Sequence, residues 1–258
     1  MHPNKHILEV SDLLMNFATS LMGAGSHTSR IVRNVSRMAE VFNYDVSITV
    51  FQKSIFMTLV SFDDSSVRYT AIQKINPMSL NFRTISDLSA LSWSVYDNKL
   101  PIEEIRAEYN DIMCKPRLND WIVVLLVACA NASFCKLFMG DSYAMLFVFL
   151  STFAAFFVRQ RMLAHHINHF LVFITCAFIS SMIAGISVIM NIGDTPDVAL
   201  ATSVLFLIPG VPMINSILDI LEGHVLAGTS RLINAANLII CIAIGFFFTI
   251  QILGIDKL

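Results

Sequence analysis

Five apolar stretches in the second half of the chain place the strongest limit on its fold. They cover residues 121–139, 142–158, 170–190, 198–211 and 232–253. The second, third and fifth of them contain no charged residue. About 20 consecutive apolar residues are needed to cross the hydrocarbon core of a bilayer. The pattern therefore predicts an α-helical membrane domain with about five transmembrane helices, in contact with a lipid bilayer.

Charged residues are distributed unevenly along the chain. They make up 14% of its 258 residues, with a net charge of -2. Residues 1–120 hold 12 of the 17 Lys and Arg and 13 of the 19 Asp and Glu, which leaves 5 and 6 for residues 121–258. This balance excludes a disordered chain and a strongly basic nucleic-acid binder, so no nucleic-acid partner is expected. We expect a soluble domain over residues 1–117 followed by a membrane domain over residues 118–258.

The first half has the pattern of a small α+β domain. Apolar residues recur at helical spacing over residues 7–22, and Gly23-Ala24-Gly25 interrupts the helix. Ser26 can cap a second helix that extends to about Phe42, with Thr28 and Ser29 as alternative caps. Residues 46–51, 55–62 and 67–72 follow, rich in β-branched and aromatic side chains and separated by short polar turns. They predict a three-stranded antiparallel meander.

Neither half contains a known catalytic or metal-binding signature. No nucleophile elbow, phosphate-binding loop or HExxH motif occurs. His165 and His169 have a spacing that can chelate a metal on a helix, but no third ligand is near them in the sequence. The five cysteines form no CxxC pair. We therefore expect neither an enzyme nor a protein that needs a cofactor or metal.

The distribution of Lys and Arg predicts an orientation in the membrane. With five spans, five cations fall on one side, namely Lys115, Arg117, Arg159, Arg161 and Arg231, whereas Lys136 and Lys257 fall on the other. The side with more cations faces the cytosol. The polar start of the chain has no apolar core typical of a signal peptide, which agrees with a cytosolic first domain.

The fourth apolar stretch is interrupted by Pro209-Gly210-Val211-Pro212. Two prolines and a glycine prevent continuous helical hydrogen bonding, so a broken helix at 209–212 is expected. Asn215, Asp219 and Glu222 share one face of the helical pattern that follows. In broken helices of transporters, the free N–H groups at a half-helix start can hold a carboxylate. The candidate substrate site comprises Pro209, Gly210, Pro212, Asn215 and Asp219, with Asp219 and Glu222 as candidates for proton coupling.

A second interpretation of the same segment stays open. Residues 213–230 can instead form an amphipathic helix on the cytosolic membrane surface, with Asp219 and Glu222 simply in contact with water. The sequence does not decide between the two.

Three stretches resemble the threonine/serine exporter family of bacterial membrane proteins. They are Gly23-Ala24-Gly25-Ser26-His27-Thr28-Ser29-Arg30, Asn168-His169-Phe170, and Pro209-Gly210-Val211-Pro212-Met213-Ile214-Asn215-Ser216-Ile217-Leu218-Asp219. The family usually has Pro where this chain has His169. Single-chain members carry a second set of spans, so this chain resembles the larger subunit of the split form, whose partner is a short, all-membrane protein.

The resemblance implies a function that composition and spacing do not reach. It implies a multi-pass subunit in the bacterial inner membrane that exports a small carboxylate metabolite and is driven by the proton gradient. The substrate expected from the split form is a dicarboxylate such as succinate, and that expected from the family is threonine or serine. Two alternatives are a membrane-anchored enzyme with a hydrolytic N-domain and a scaffolding subunit without a transport site.

Overall fold

The structure is a computed structural model that describes residues 3–51, 53–76, 80–116 and 118–255. It divides into two compact units. The N-terminal unit contains the chain up to Pro116 together with Val211–Ile233, and the helical unit contains Arg117–Gly210 together with the chain from Asn234 onward.

The N-terminal unit combines helices with a small sheet, as the alternating and helical patterns predict. Four of its helices come before the membrane-spanning stretches: α1 (Pro3–Gly23), α2 (Thr28–Val41), α3 (Phe82–Asn98) and α4 (Ile102–Cys114). The strands are β1 (Tyr44–Val50), β2 (Ser54–Ser61) and β3 (Arg68–Lys74), antiparallel in the order β1-β2-β3. The three strands follow the predicted meander closely, with ends shifted by one or two residues.

A single apolar core holds these elements together. Leu59 of β2 is fully buried and lies opposite Val46 of β1 and Tyr69 of β3. The one buried face of the sheet covers the apolar faces of the helices, where Phe17 and Leu88 are also fully buried. This is the alternation expected of an antiparallel sheet with one face packed against helices.

The helical unit contains long apolar helices. These are α5 (Asp120–Leu137), α6 (Ser142–Ala164), α7 (His169–Ile189) and the greater part of α10 (Val225–Leu253). By length and composition, these four helices can cross a membrane, and a fifth span is possible if Pro196–Leu207 and Gly210–Leu221 count as one broken span. The last helix begins at Val225, earlier than the predicted residue 232, because helical backbone continues through the seven residues before the charge-free apolar run.

The fourth predicted span is not a continuous helix. It consists of α8 (Pro196–Thr202), a 3-10 turn at Leu205–Leu207, and extended backbone at Ile208 with φ -60° and ψ 125°. Extended backbone is what a following proline imposes on the residue before it. The break expected from Pro209 is therefore present, and α9 (Gly210–Leu221) begins directly after it.

The carbonyl groups at the end of α8 are satisfied by side chains of other helices. Asn131 Nδ2 on α5 lies 3.3 Å from the Thr202 oxygen, and Ser180 Oγ on α7 donates to the Ser203 oxygen at 2.8 Å. Backbone carbonyls at membrane depth need such partners because no water is available to them. These bonds allow so short a helix to lie among long ones.

Small residues along α7 pack against α10 within the same chain. Ala177, Ser181 and Gly185 follow the predicted small-xxx-small spacing, which permits close approach of helices. The Ser181 hydroxyl bonds to Thr249 Oγ1 at 2.6 Å. A methyl group added to Gly245 would meet Ala177 Cβ at 2.9 Å and would overlap the backbone oxygen of Ile174.

We expect Gly245→Ala to lower the thermal stability of the purified chain. The added methyl has no space against Ile174, and overpacking of this kind costs about 1–3 kcal/mol. Gly210→Ala is the matched control, because a methyl there meets no atom within 4 Å. Thermal denaturation in one detergent measures both, and equal midpoints for Gly245→Ala and the wild type would contradict the proposed packing.

Candidate functional site

The candidate site lies in the N-terminal unit and is centred on Asp219 of α9. This helix buries Ser216 and Asp219 and leaves Ile214, Ile217 and Leu221 exposed on its other side. Pro212 lies in the first turn of α9, where its missing N–H removes no helical hydrogen bond. The amphipathic pattern of the sequence is thus present, and on its polar side Asp219 is buried whereas Glu222 is exposed.

The Asp219 carboxylate is fully buried and has three polar contacts. The Thr28 backbone N–H donates to its Oδ1 at 2.7 Å, and the Thr28 hydroxyl donates to its Oδ2 at 3.1 Å. Arg231 Nη1 lies 3.2 Å from Oδ2 in an ion pair. A buried carboxylate is unfavourable unless it is paired and hydrogen-bonded. Here, the negative charge is compensated by one guanidinium and by the positive end of a helix.

The backbone N–H that binds Asp219 belongs to the first turn of α2. His27 is the N-cap of that helix, and its side chain makes no capping bond. Ser26, predicted to cap α2, instead donates weakly to the His27 oxygen at 3.4 Å. Asp219 therefore supplies the acceptor that a local cap would provide, from a position 191 residues away in the chain.

The turn between α1 and α2 shapes the other side of the site. Gly25 has φ +96°, a region that favours glycine, and a Cβ there would lie 2.5 Å from the Leu80 side chain. This turn directs two carbonyl groups toward the segment 211–233. Asn215 Nδ2 donates to the Gly25 oxygen at 2.8 Å, and Arg231 Nη1 donates to the Ser26 oxygen at 3.1 Å.

Two of the three family-like stretches therefore meet at this point. Gly25 to Thr28 comes from the first, and Asn215 and Asp219 come from the third. The second stretch lies in the helical unit, where Asn168 caps α7 by accepting from the Phe170 N–H at 2.9 Å. His169 is the first residue of α7, a position at which proline is also favoured, so this difference from the family is structurally mild.

The start of α9 and the Asp219 carboxylate lie near opposite ends of that helix. Asp219 lies nine residues after Gly210, which at the α-helical rise is about 13 Å along the axis. The N–H groups at the start of α9 and the Asp219 carboxylate are therefore too far apart to contact one ligand atom. The N–H that meets Asp219 comes from Thr28 instead.

The other predicted site residues differ in their exposure to water. Pro209 is buried directly before α9, and Gly210 has open space where a side chain would stand. Glu222 is exposed just after α9. Its pKa is lowered, first by a hydrogen bond from the Ser29 side chain and then by nearby positive groups. Of the two acidic candidates, Asp219 is thus shielded from water and Glu222 is not.

Thr28 and Arg231 have roles that the sequence pattern did not identify. The sequence pattern predicts Thr28 only as a helix cap and Arg231 only as a charge that orients the membrane helices. The signal for Arg231 was its position next to the charge-free apolar run 232–253. An arginine at such a place requires a counter-charge, and Asp219 provides it.

His27 is a partly buried titratable group beside this cluster. Its Nε2 is buried and has no hydrogen-bond partner among the residues that the structure describes. Burial lowers its pKa below the ordinary 6.5, while Glu222 and Asp219 partly oppose that shift. The unfolded chain therefore binds a proton more readily than the folded chain as the pH falls below 6.5.

We expect this difference to make folding stability depend on pH. Stability is complete above the unfolded pKa and is lost as the pH falls through the lowered folded pKa. Thermal midpoints of the purified chain between about pH 7.5 and pH 5.5 should fall less for His27→Asn than for the wild type. His166→Asn, at an exposed loop position, is the control and should keep the wild-type slope. Parallel curves for His27→Asn and the wild type would refute this role.

Comparison with known proteins places both units in one family. The family model described as "Putative threonine/serine exporter" matches residues 12–253. The "Probable succinate transporter subunit YjjP" of Escherichia coli (strain K12) is 24% identical over 248 residues, which is 95% of each chain. The protein of the same name from Klebsiella aerogenes is 24% identical over 249 residues, again 95% of each chain. No solved structure matches the chain. The chain therefore belongs to the threonine/serine exporter family and is a multi-pass membrane protein of a transport system.

Proposed function

We propose that the chain is a subunit of a secondary active exporter in the bacterial cytoplasmic membrane. Its substrate is a small carboxylate metabolite, either a dicarboxylate such as succinate or an amino acid such as threonine or serine. Family membership and the names of the two relatives support the transport role and the substrate class. The word "subunit" in those names supports a companion, which we propose is a short, all-membrane protein.

The observation that carries the proposed mechanism is the buried pair of Asp219 and Arg231. The Asp219 carboxylate has no exposure to water, and its charge is held by Arg231 and the start of α2. Protonation of Asp219 would remove that charge and weaken all three contacts together. A proton taken up here would therefore free α9 from the turn at Gly25–Thr28 and change the arrangement of the segment 211–233.

This behaviour is suited to coupling a proton gradient to transport. A coupling site needs two arrangements whose relative stability depends on protonation. Asn215, one turn before Asp219, is held to the same turn by its amide and would move with it. We propose that Asn215 and the backbone at Pro209, Gly210 and Pro212 contact the substrate, and that Asp219 rather than the exposed Glu222 carries the proton.

The test of this proposal is Asp219→Asn. Asparagine keeps the shape and an acceptor for the Thr28 N–H but cannot titrate. We expect loss of gradient-driven efflux of succinate or threonine from preloaded cells, down to the level of cells without the gene, while the chain still reaches the membrane and co-purifies with its companion. Asp111→Asn changes an exposed carboxylate on α4 in the same way and is the control.

The dependence on pH separates coupling from a structural role. If Asp219 only stabilises the fold, Asp219→Asn should reduce the amount of protein and leave the pH dependence of the remaining efflux unchanged. That result would contradict the coupling proposal. So would loss of efflux in Glu222→Gln together with normal efflux in Asp219→Asn, which would assign the proton to Glu222.

We further propose that residues 1–117 form a domain in the cytosol, ahead of a membrane domain over residues 118–258. Lys115, Arg159, Arg161 and Arg231 support this orientation, whereas Arg117 and Lys257, which belong to the same argument, lie outside the described residues. In this orientation, the loop between α7 and α8 faces the outside of the membrane.

Single cysteines in a chain lacking its five native cysteines test this orientation. Asp64→Cys lies in the exposed turn between β2 and β3, and Asp194→Cys lies at an exposed position between α7 and α8. We expect an impermeant thiol reagent to label position 194 in intact cells and position 64 only after permeabilisation. The opposite pattern would reverse the orientation and the direction of transport inferred from it.

A further inference from the structure

Arg159 is a charged residue inside a membrane-spanning helix. It lies on α6, which has 23 residues and carries no charged side chain other than Arg159 and Arg161. The Arg159 Nε is buried, and no residue in the described part of the chain makes a hydrogen bond to it. A long cationic side chain near a helix end usually extends its charged group toward water, so a half-buried one among aromatic rings points to a function.

Two buried aromatic rings surround the guanidinium group. Its Cζ lies 5.3 Å from the ring centroid of Phe156 and 5.7 Å from that of Phe173 on α7. Both rings are almost completely buried. The His169 ring, at the start of α7, packs against the Phe173 ring with 4.9 Å between their centroids. Aromatic rings within about 6 Å attract a cation. They do not, however, supply the oxygen acceptors that its N–H groups need for full hydrogen bonds.

A negative partner for Arg159 is absent among the described residues. None of the three ion pairs found there includes Arg159. Neither α6 nor α7 contains Asp or Glu. Gln160 reaches the first turn of α5, where it bonds the backbone oxygen of Asp120 at 3.2 Å, but the Asp120 side chain is exposed and forms no ion pair with Arg159.

Arg231 shows what the same side chain requires when it is fully accommodated. That guanidinium has a carboxylate at 3.2 Å and a backbone carbonyl at 3.1 Å. Arg159 has aromatic rings at its sides and neither kind of partner at its buried Nε. No carboxylate of the described residues pairs with this half-buried guanidinium, so an arriving anion would gain charge-assisted hydrogen bonds from it.

We propose that Arg159 binds a carboxylate group of the exported metabolite. Phe156 and Phe173 hold the guanidinium so that its N–H edge receives the anion in the bidentate geometry that Arg and carboxylate share. This site rests on the proposed export function and names the group that recognises the substrate. In the proposed orientation, Arg159 lies at the cytosolic end of α6 and meets the metabolite on entry.

Arg161 provides a matched control on the same helix. It lies two residues further on, is exposed, and its Cζ is 5.2 Å from the Phe157 ring. An exposed arginine near a helix end can reach the polar membrane surface. The two arginines thus share residue type, helix and aromatic contact, and they differ in burial.

The experiment measures efflux in cells that carry the gene and its neighbours at their native position. Cells are loaded with radiolabelled succinate at several internal concentrations. We expect Arg159→Gln to raise the half-saturating concentration about ten- to a hundredfold, because a hydrogen bond to a charged group typically contributes that much to affinity. Arg159→Lys should be intermediate, because it keeps the charge but not the bidentate geometry. Arg161→Gln should match the wild type.

Binding is measured separately on the purified full chain. Succinate should raise the thermal midpoint of the wild type and of Arg161→Gln, and succinamide, which has the same shape without charge, should not. Arg159→Gln should lose the response to succinate while keeping the wild-type midpoint without ligand to within a few degrees. This second measurement remains informative if the variant is poorly abundant in cells.

Each contrary outcome has a distinct meaning. Half-saturation that is unchanged in Arg159→Gln, in cells where the wild type exports succinate, contradicts this site and leaves the export function standing. A second contrary result is that anionic lipid raises the thermal midpoint of the wild type but not that of Arg159→Gln, while succinate raises both. That result would make Arg159 a lipid anchor and would also overturn the site. If wild-type cells export succinate, threonine and serine no faster than cells without the gene, the export function itself fails.

Discussion

The arrangement of the N-terminal unit depends on one buried carboxylate. Asp219 has no access to water, so it must receive hydrogen bonds and a counter-charge from within the protein. Thr28 supplies the N–H and hydroxyl, and Arg231 supplies the charge. These contacts join the turn after α1 to the segment 211–233, which is why that segment belongs to the same compact unit as the first 116 residues. A change in the charge of this one group would act on all of them.

Local rules predicted the elements well and their partners poorly. The three strands, the break after α1 and the apolar helices follow from side-chain periodicity and from Gly and Pro, which act within a few residues. The cap of α2 did not follow, because Ser26 satisfies every local criterion and yet the acceptor is Asp219. The fourth span also shows this limit. Pro209 predicts its break. The early end of α8, however, is stabilised by the Asn131 and Ser180 side chains of other helices, which bond the carbonyl oxygens there.

The family-like stretches have separate physical roles in the structure. The first forms a turn in which Gly25 adopts a positive φ and two carbonyls are left to bind Asn215 and Arg231. The second begins α7 through the Asn168 cap. The third breaks the apolar stretch and places Asp219 on α9. Spacing within the third stretch identified Asn215 and Asp219 as a pair, but only the fold shows that their partner is the first stretch.

The two half-buried arginines, Arg159 and Arg231, have different kinds of partner. Arg231 is neutralised by a carboxylate of the same chain, so its charge is available only when Asp219 loses its own. Arg159 is stabilised by Phe156 and Phe173, which lower the cost of the cation without neutralising it. A carrier must bind its anion firmly enough to select it and weakly enough to release it. Under the proposed function, an arginine held by aromatic rings would meet both conditions, because the rings would keep it in place when the anion has left.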